Sequence, residues 1–151
     1  MGAQVNIVIP TYNEAENIAP LIKDILTLNI AELTVLVVDD NSPDGTGKIA
    51  AELAAKDQRI KVLHRYTERG RGSAGIAGYK YALEHGADYI IEMDADGAHQ
   101  PKYIPALLAK IKEFDVVLGS RFVPGGKDID RDLARKIITK LAQSYIKLLL
   151  G

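Results

Sequence analysis

Five short aliphatic or β-branched runs recur along the chain, starting at residues 5, 33, 60, 89 and 116. They are Val5–Ile9, Leu33–Val38, Ile60–His64, Tyr89–Met93 and Val116–Leu118. Their apolar positions are largely continuous, the mark of strands buried on both faces. Helical spacing fills the intervals. Ile18, Leu21, Ile22, Ile25 and Leu28 form one stripe, and Asn13 with Glu16 forms a capping-box signature upstream of it. Ile49 and Leu53 suit a second helix. Ile76, Tyr79 and Leu83 suit a third, ending near His85-Gly86. Pro101 fits the first turn of a fourth helix, which runs through Ile104, Leu107, Leu108 and Ile111. Leu133, Ile137, Leu141, Tyr145 and Leu148 mark a last one.

Five β-α units in succession predict an α/β fold, a mainly parallel twisted sheet with helices on both faces. Such sheets bind ligands beyond the carboxyl ends of their strands, so the chemistry should lie in the loops that follow them. No linker divides the chain, which predicts a single domain over residues 1–151. The loosest stretch, Val123–Asp130, holds Pro124-Gly125-Gly126 and reads as a loop.

Composition narrows the function classes. At 151 residues, 47% hydrophobic and 26% charged, the chain suits a soluble domain with a core, and not a disordered, collagen-like or polytopic membrane protein. Nineteen basic against twenty acidic residues leave no charge excess of the kind that binds nucleic acid. The absence of cysteine excludes disulfides, thiolate metal sites and a cysteine nucleophile. Met1 leads directly into a strand-like run, which predicts no signal peptide and a cytoplasmic protein.

Pro10-Thr11-Tyr12-Asn13-Glu14 follows the first run, where a tyrosine and a carboxylate could hold a base or ribose. For Asn13 alone, a turn and helix cap is the better reading. Asp39-Asp40-Asn41-Ser42-Pro43-Asp44-Gly45 follows the second. Much of it is turn chemistry, yet adjacent carboxylates at the end of a buried strand require partners or a ligand. Arg69-Gly70-Arg71-Gly72-Ser73-Ala74-Gly75 follows the third. It contains Gly-x-Gly-x-x-Gly, but two β-α units precede it, which argues against a dinucleotide fingerprint. Its glycines suit either phosphate contact or close helix packing. Six bases and one acid lie between Arg59 and Lys80, so a local positive patch exists despite the neutral total.

Asp94-Ala95-Asp96 follows the fourth run. Residues two apart on an extended backbone project to one side, so the two carboxylates are expected to converge. Oxygen donors favour a hard cation, Mg²⁺ or Mn²⁺, bridged to phosphates. Asp96-Gly97 also suits an ordinary turn. Gly119-Ser120-Arg121-Phe122 follows the fifth, with Arg121 as a candidate anion ligand. Arg131, Arg135 and Thr139 share one face of the last helix.

Taken together, these segments resemble the inverting family-two glycosyltransferases with the GT-A fold. Within that group they look most like the polyprenyl-phosphate mannosyltransferases, the dolichol-phosphate mannose synthases. The resemblance rests on Ile9–Glu14, Val37–Thr46, the glycine-rich Gly70–Gly78 segment, Met93–Asp96, and Gly119–Phe122 with Gly125-Gly126. It implies that Pro10, Tyr12, Glu14, Val38, Asp40 and Ala95 hold the nucleotide of a sugar donor, most simply GDP-mannose. It implies a metal, Mg²⁺ or Mn²⁺, and the donor diphosphate at Asp94 and Asp96. Arg121, Arg135 and Thr139 would receive the phosphate of a polyprenyl or dolichyl acceptor, with Arg121, Asp94 and Asp96 as the catalytic set. Peripheral contact with the cytoplasmic membrane face is expected, through the basic last helix and its apolar stripe.

Two departures qualify the resemblance. Ala98 stands where some relatives carry a metal-ligating Gln, which implies that a water fills in or that cation affinity is lower. Relatives also continue well past Leu149-Leu150-Gly151, so the domain is expected to be C-terminally incomplete, able to bind a nucleotide sugar without turning it over, or to self-associate through its apolar end. Three other readings compete. A receiver domain places its acidic pair after the first strand, not the second. A UDP-glucose-type donor would use the same residues. A saccharide acceptor would need a carboxylate base from later in the chain.

Overall fold

A computed structural model describes residues 2–67, 69–120, 123 and 133–150; for residues 133–136 it describes the backbone alone. The chain divides into two compact units, Met1–Leu108 and Ala109–Gly151.

In the first unit, β1 (Val5–Thr11), β2 (Leu33–Asp39), β3 (Ile60–His64) and β4 (Tyr89–Glu92) form one parallel sheet in the order β3-β2-β1-β4. Strands are added outward from β1 to β3, and the chain then returns to place β4 on the other side of β1. The carboxyl ends of β1 and β4 therefore flank the topological switch point, where such sheets open a ligand crevice.

Alternate residues of each strand face opposite layers. Val5, Ile7, Ile9, Leu33, Val35 and Val37 pack against α1 (Ile18–Leu26) and α2 (Thr46–Ala54). Val8, Leu36 and Val38 pack with Ala74 of α3 (Arg71–Glu84) on the other side. A 3₁₀ turn, Pro101–Tyr103, leads into α4 (Ile104–Lys110), whose Ile104 completes the first layer. In the second unit, α5 (Leu133–Leu150) is exposed from Ile137 onward except at Thr139, which is half-buried.

Three local expectations need correction. The run Val116–Leu118 is not a strand: it has no regular structure, and Val116 and Leu118 are 71% and 82% exposed. Strand propensity expresses itself only where a neighbouring strand supplies the ladder. The Asn13–Glu16 capping box does not form. Asn13 adopts φ 60°, and α1 begins later, at Ile18. The backbone N–H groups of Asn13, Glu14 and Ala15 donate instead to Ser42 Oγ, Thr46 Oγ1 and Asp44 Oδ2, tying this loop to the one after β2. Finally, α3 forms as expected but turns its other face inward. Ile76, Tyr79 and Leu83 are exposed, while Ala74, Gly75, Gly78 and Ala82 are buried. The reason is proximity: a Cβ on Gly78 would stand 2.3 Å from Val8 Cγ1.

The start of α3 is fixed by a closed ring of polar contacts built on one buried ion pair. Arg65, just beyond β3, donates from Nη1 to Asp40 Oδ1 at 2.6 Å and from Nη2 to Ser73 Oγ at 2.8 Å. Ser73 Oγ donates to Gly70 O, and Gly70 N donates back to Asp40 Oδ2 at 2.7 Å. Arg65 and Asp40 are 8% and 4% exposed, so each charge depends on the other.

Two substitutions test this account. Gly78→Ala gains about 0.5–1 kcal/mol of helix propensity but forces overpacking against Val8 worth about 1–3 kcal/mol, so a net loss is expected in urea unfolding. Arg65→Ala leaves the Asp40 carboxylate buried without its counter-ion and should cost about 3–5 kcal/mol. A loss within experimental error for either variant contradicts the packing described.

Candidate functional site

The carboxyl edge of the sheet gathers the loops after β1, β2, β3 and β4. After β1, Pro10 is half-buried and Tyr12 is 49% exposed. The Arg69 guanidinium stands 6.0 Å from the Tyr12 ring centroid, so a planar cation faces an exposed aromatic ring. Glu14 is half-buried, and its Oε2 accepts from Asn17 Nδ2.

After β2, both aspartates are buried. Asp39 accepts Ser42 Oγ and Ser42 N and so closes the turn behind the strand. A Cβ on Gly47 would stand 2.6 Å from Asp39 Oδ2, so only glycine admits this approach. Asp40 is engaged on both oxygens by Arg65 and Gly70. The Val38 side chain lies wholly in the core, which leaves its main chain as the part that can meet a ligand. Asp44 accepts Thr46 N and Thr46 Oγ1 on Oδ1. Burial raises its pKa, but these hydrogen bonds and that from Ala15 outweigh it and hold the carboxyl below its ordinary value.

After β4, the Asp-x-Asp segment takes a bent form. Ala95 is buried between two more accessible carboxylates. Asp94 Oδ1 accepts from Arg71 Nε at 2.9 Å and also from Arg71 Nη2. Asp94 N donates to His99 Nδ1 at 2.9 Å, which leaves Nδ1 as the unprotonated ring nitrogen. Asp96 is exposed, and its Oδ1 accepts from Ala98 N in a tight turn. The two carboxylates thus have different partners, and no group of three or more metal-ligating side chains forms among the described residues.

The donor chemistry nonetheless suits a hard cation. The Arg71 and Ala98 hydrogen bonds fall on the Oδ1 atoms of Asp94 and Asp96, and His99 Nδ1 stands 3.9 Å from Asp94 Oδ2. A cation bound there would take its remaining ligands from diphosphate and water, as Mg²⁺ and Mn²⁺ sites with one or two carboxylates do.

Sequence reasoning missed four residues of this edge. Arg65 and Ser73 hold Asp40 and Gly70. Glu92 pairs with Arg71 Nη2 at 3.1 Å and accepts the Tyr79 hydroxyl. That hydrogen bond, with burial adding to it, pushes the Tyr79 pKa up to about 12. Hydrogen bonding to Asp94 likewise raises the pKa of Arg71. The available signals were an acid inside the apolar run Tyr89–Met93 and a base directly after Ile60–His64. Of the expected acceptor residues, Arg121 lies outside the described residues. Arg135 lies in the first turn of α5, with its side chain outside the description, and Thr139 lies one turn further on.

Comparisons with known proteins agree on one family. The chain is 49% identical over 144 residues to an undecaprenyl-phosphate mannosyltransferase of Micrococcus luteus, covering 95% of this chain and 59% of that protein. It is 43% identical to a polyprenol monophosphomannose synthase of Mycolicibacterium smegmatis, covering 96% of this chain and 55% of that one. The chain therefore spans somewhat more than half the length of these relatives. Among solved structures, the mannosyltransferase of Pyrobaculum calidifontis in complex with GDP-Man and Mn²⁺ superposes with a TM-score of 0.53 at 28% identity, covering 64% of this chain and 28% of that one. The description "Glycosyl transferase family 2" matches residues 6–150, and the chain belongs to that family.

Proposed function

We propose that the chain carries the donor side of an inverting transfer of mannose from GDP-mannose to a polyprenyl phosphate. The observation that carries this reading is the 49% identity, over 95% of the chain, to an undecaprenyl-phosphate mannosyltransferase. The exposed Tyr12 ring with Arg69 over it suits the planar base of a nucleotide. Pro10, Glu14 and the main chain of Val38 border the ribose and base. Asp40 contributes through the lone pairs left on a carboxylate whose orientation Arg65 and Gly70 fix. Ala95, Asp94 and Asp96 lie beside the diphosphate.

In the reaction, an oxygen of the lipid phosphate attacks the anomeric carbon. The new C–O bond forms as the bond from that carbon to the donor diphosphate breaks, and the electron pair leaves with GDP. A phosphate monoester has its second pKa near ~6, so this nucleophile is largely ionised near neutral pH and needs no general base. The protein's task is to neutralise and aim it. Arg121, Arg135 and Thr139 take that role, the last two spaced one turn apart on α5. Asp94 and Asp96 would hold Mg²⁺ or Mn²⁺, which when bound would offset the charge gathering on the departing diphosphate.

Among the described residues, no helix is long and apolar enough to cross a membrane. The exposed Ile137, Leu141, Tyr145 and Leu148 of α5, with Lys140 and Lys147 beside them, suit peripheral contact with an anionic lipid surface.

The test is transfer of radiolabelled mannose from GDP-mannose into organic-extractable lipid in the presence of undecaprenyl phosphate and Mn²⁺. Asp96→Ala is expected to lower that transfer by about a hundredfold or more, in keeping with loss of transition-state charge stabilisation. Wild-type rates in Asp96→Ala contradict the metal assignment. Transfer to a saccharide hydroxyl in place of the lipid contradicts the acceptor.

A further inference from the structure

Arg71, Gly75 and Tyr79 are spaced four apart on α3 and meet one side chain of β4, Glu92. Glu92 Oε1 stands 3.1 Å from Arg71 Nη2, and Oε2 accepts the Tyr79 hydroxyl. Gly75 makes room for this: a Cβ there would stand 3.0 Å from Glu92 Oε2. The same Nη2 of Arg71 also reaches Asp94 Oδ1. One guanidinium is therefore shared between two carboxylates, one at the end of β4 and one in the Asp-x-Asp segment. The Glu92 carboxylate is partly shielded, at 22% side-chain exposure, and braced from behind by Tyr79.

A divalent cation on Asp94 and a guanidinium on the same carboxylate repel one another. Binding the cation displaces Arg71 from Asp94, and its side chain, already 60% exposed, then goes either to solvent or to another carboxylate. Glu92 already touches Arg71, so the guanidinium can stay paired by a small shift along the edge.

We propose that Glu92, braced by Tyr79, is a positioning residue for the cation site: it takes over Arg71 when a divalent cation occupies the Asp94 carboxylate. This inference rests on the reading of Asp94 and Asp96 as the cation site. Glu92 itself touches neither cation nor substrate in this scheme; it acts through Arg71.

The experiment is a titration of the protein with Mn²⁺ in the presence of GDP, reading free Mn²⁺ by its EPR signal. Glu92→Gln is expected to weaken Mn²⁺ binding by about tenfold, the scale of one unbalanced charge a few ångströms from a partly exposed site. Arg71→Gln should bind Mn²⁺ at least as tightly as wild type. The decisive comparison is Glu92→Gln in the Arg71→Gln background, where the effect should fall below about twofold, because a residue acting through another is silent in its absence. Tyr79→Phe alters no charge and preserves the helix; it should weaken binding to a smaller degree, again only when Arg71 is present. Equal weakening by Glu92→Gln in both backgrounds overturns the proposal, since Glu92 would then act by its own field. Mn²⁺ affinity unchanged in Asp94→Asn overturns the cation reading itself, and the proposal with it.

Discussion

The buried pair of Asp40 and Arg65 is the contact on which the carboxyl edge depends. Neither charge is tolerable alone at such low exposure, and the backbone of Gly70 and the hydroxyl of Ser73 complete the ring around them. The ring joins the end of β2, the end of β3 and the first turn of α3. It thereby sets where the residues on either side of Gly70 can reach. Arg69 goes to the Tyr12 ring after β1, and Arg71 goes to Glu92 at the end of β4 and Asp94 just beyond it. Two arginines separated by one glycine thus serve opposite sides of the switch point.

Beside that ring, α3 lies close against the sheet. Its inward face is made of Ala74, Gly75, Gly78 and Ala82, and the side chains of Val8 and Glu92 occupy the space that larger residues would need. Close packing and function are linked here. The glycine that admits Val8 lets the helix settle, and the glycine one turn earlier admits the carboxylate that pairs with Arg71. The glycine-rich segment therefore serves packing along its length and charge placement at its start.

The layered fold was legible because continuous apolar runs such as Val35–Val38 leave few alternatives to buried parallel strands. The face of α3 was not, because spacing rules weigh large apolar residues, and here Ile76, Tyr79 and Leu83 are the exposed ones. The Val116–Leu118 run shows the converse limit: β-branched residues favour a strand only where another strand is present to pair. At the site, the chemical types at Tyr12, Asp40, Asp94 and Asp96 were visible from their positions after strands. Their pairing was not. Burial required a partner or a ligand for Asp40, but nothing local named Arg65, just beyond β3, as that partner. Asp94 and Asp96 looked like a matched pair, and they differ in partner and exposure. Long-range ion pairs of this kind join residues 25 or 23 positions apart, and no local pattern encodes them.

The central claim is that the donor nucleotide and its cation meet at the edge between β1 and β4. The most direct measurement is paramagnetic broadening of backbone amide resonances by Mn²⁺ in the presence of GDP. The strongest loss is predicted at residues 94–98, with the amides of 12–14 and 70–72 next, and the least along α1. Strongest broadening at Asp57, which pairs with Arg59 ahead of β3, or uniform loss without a focus, would contradict the account.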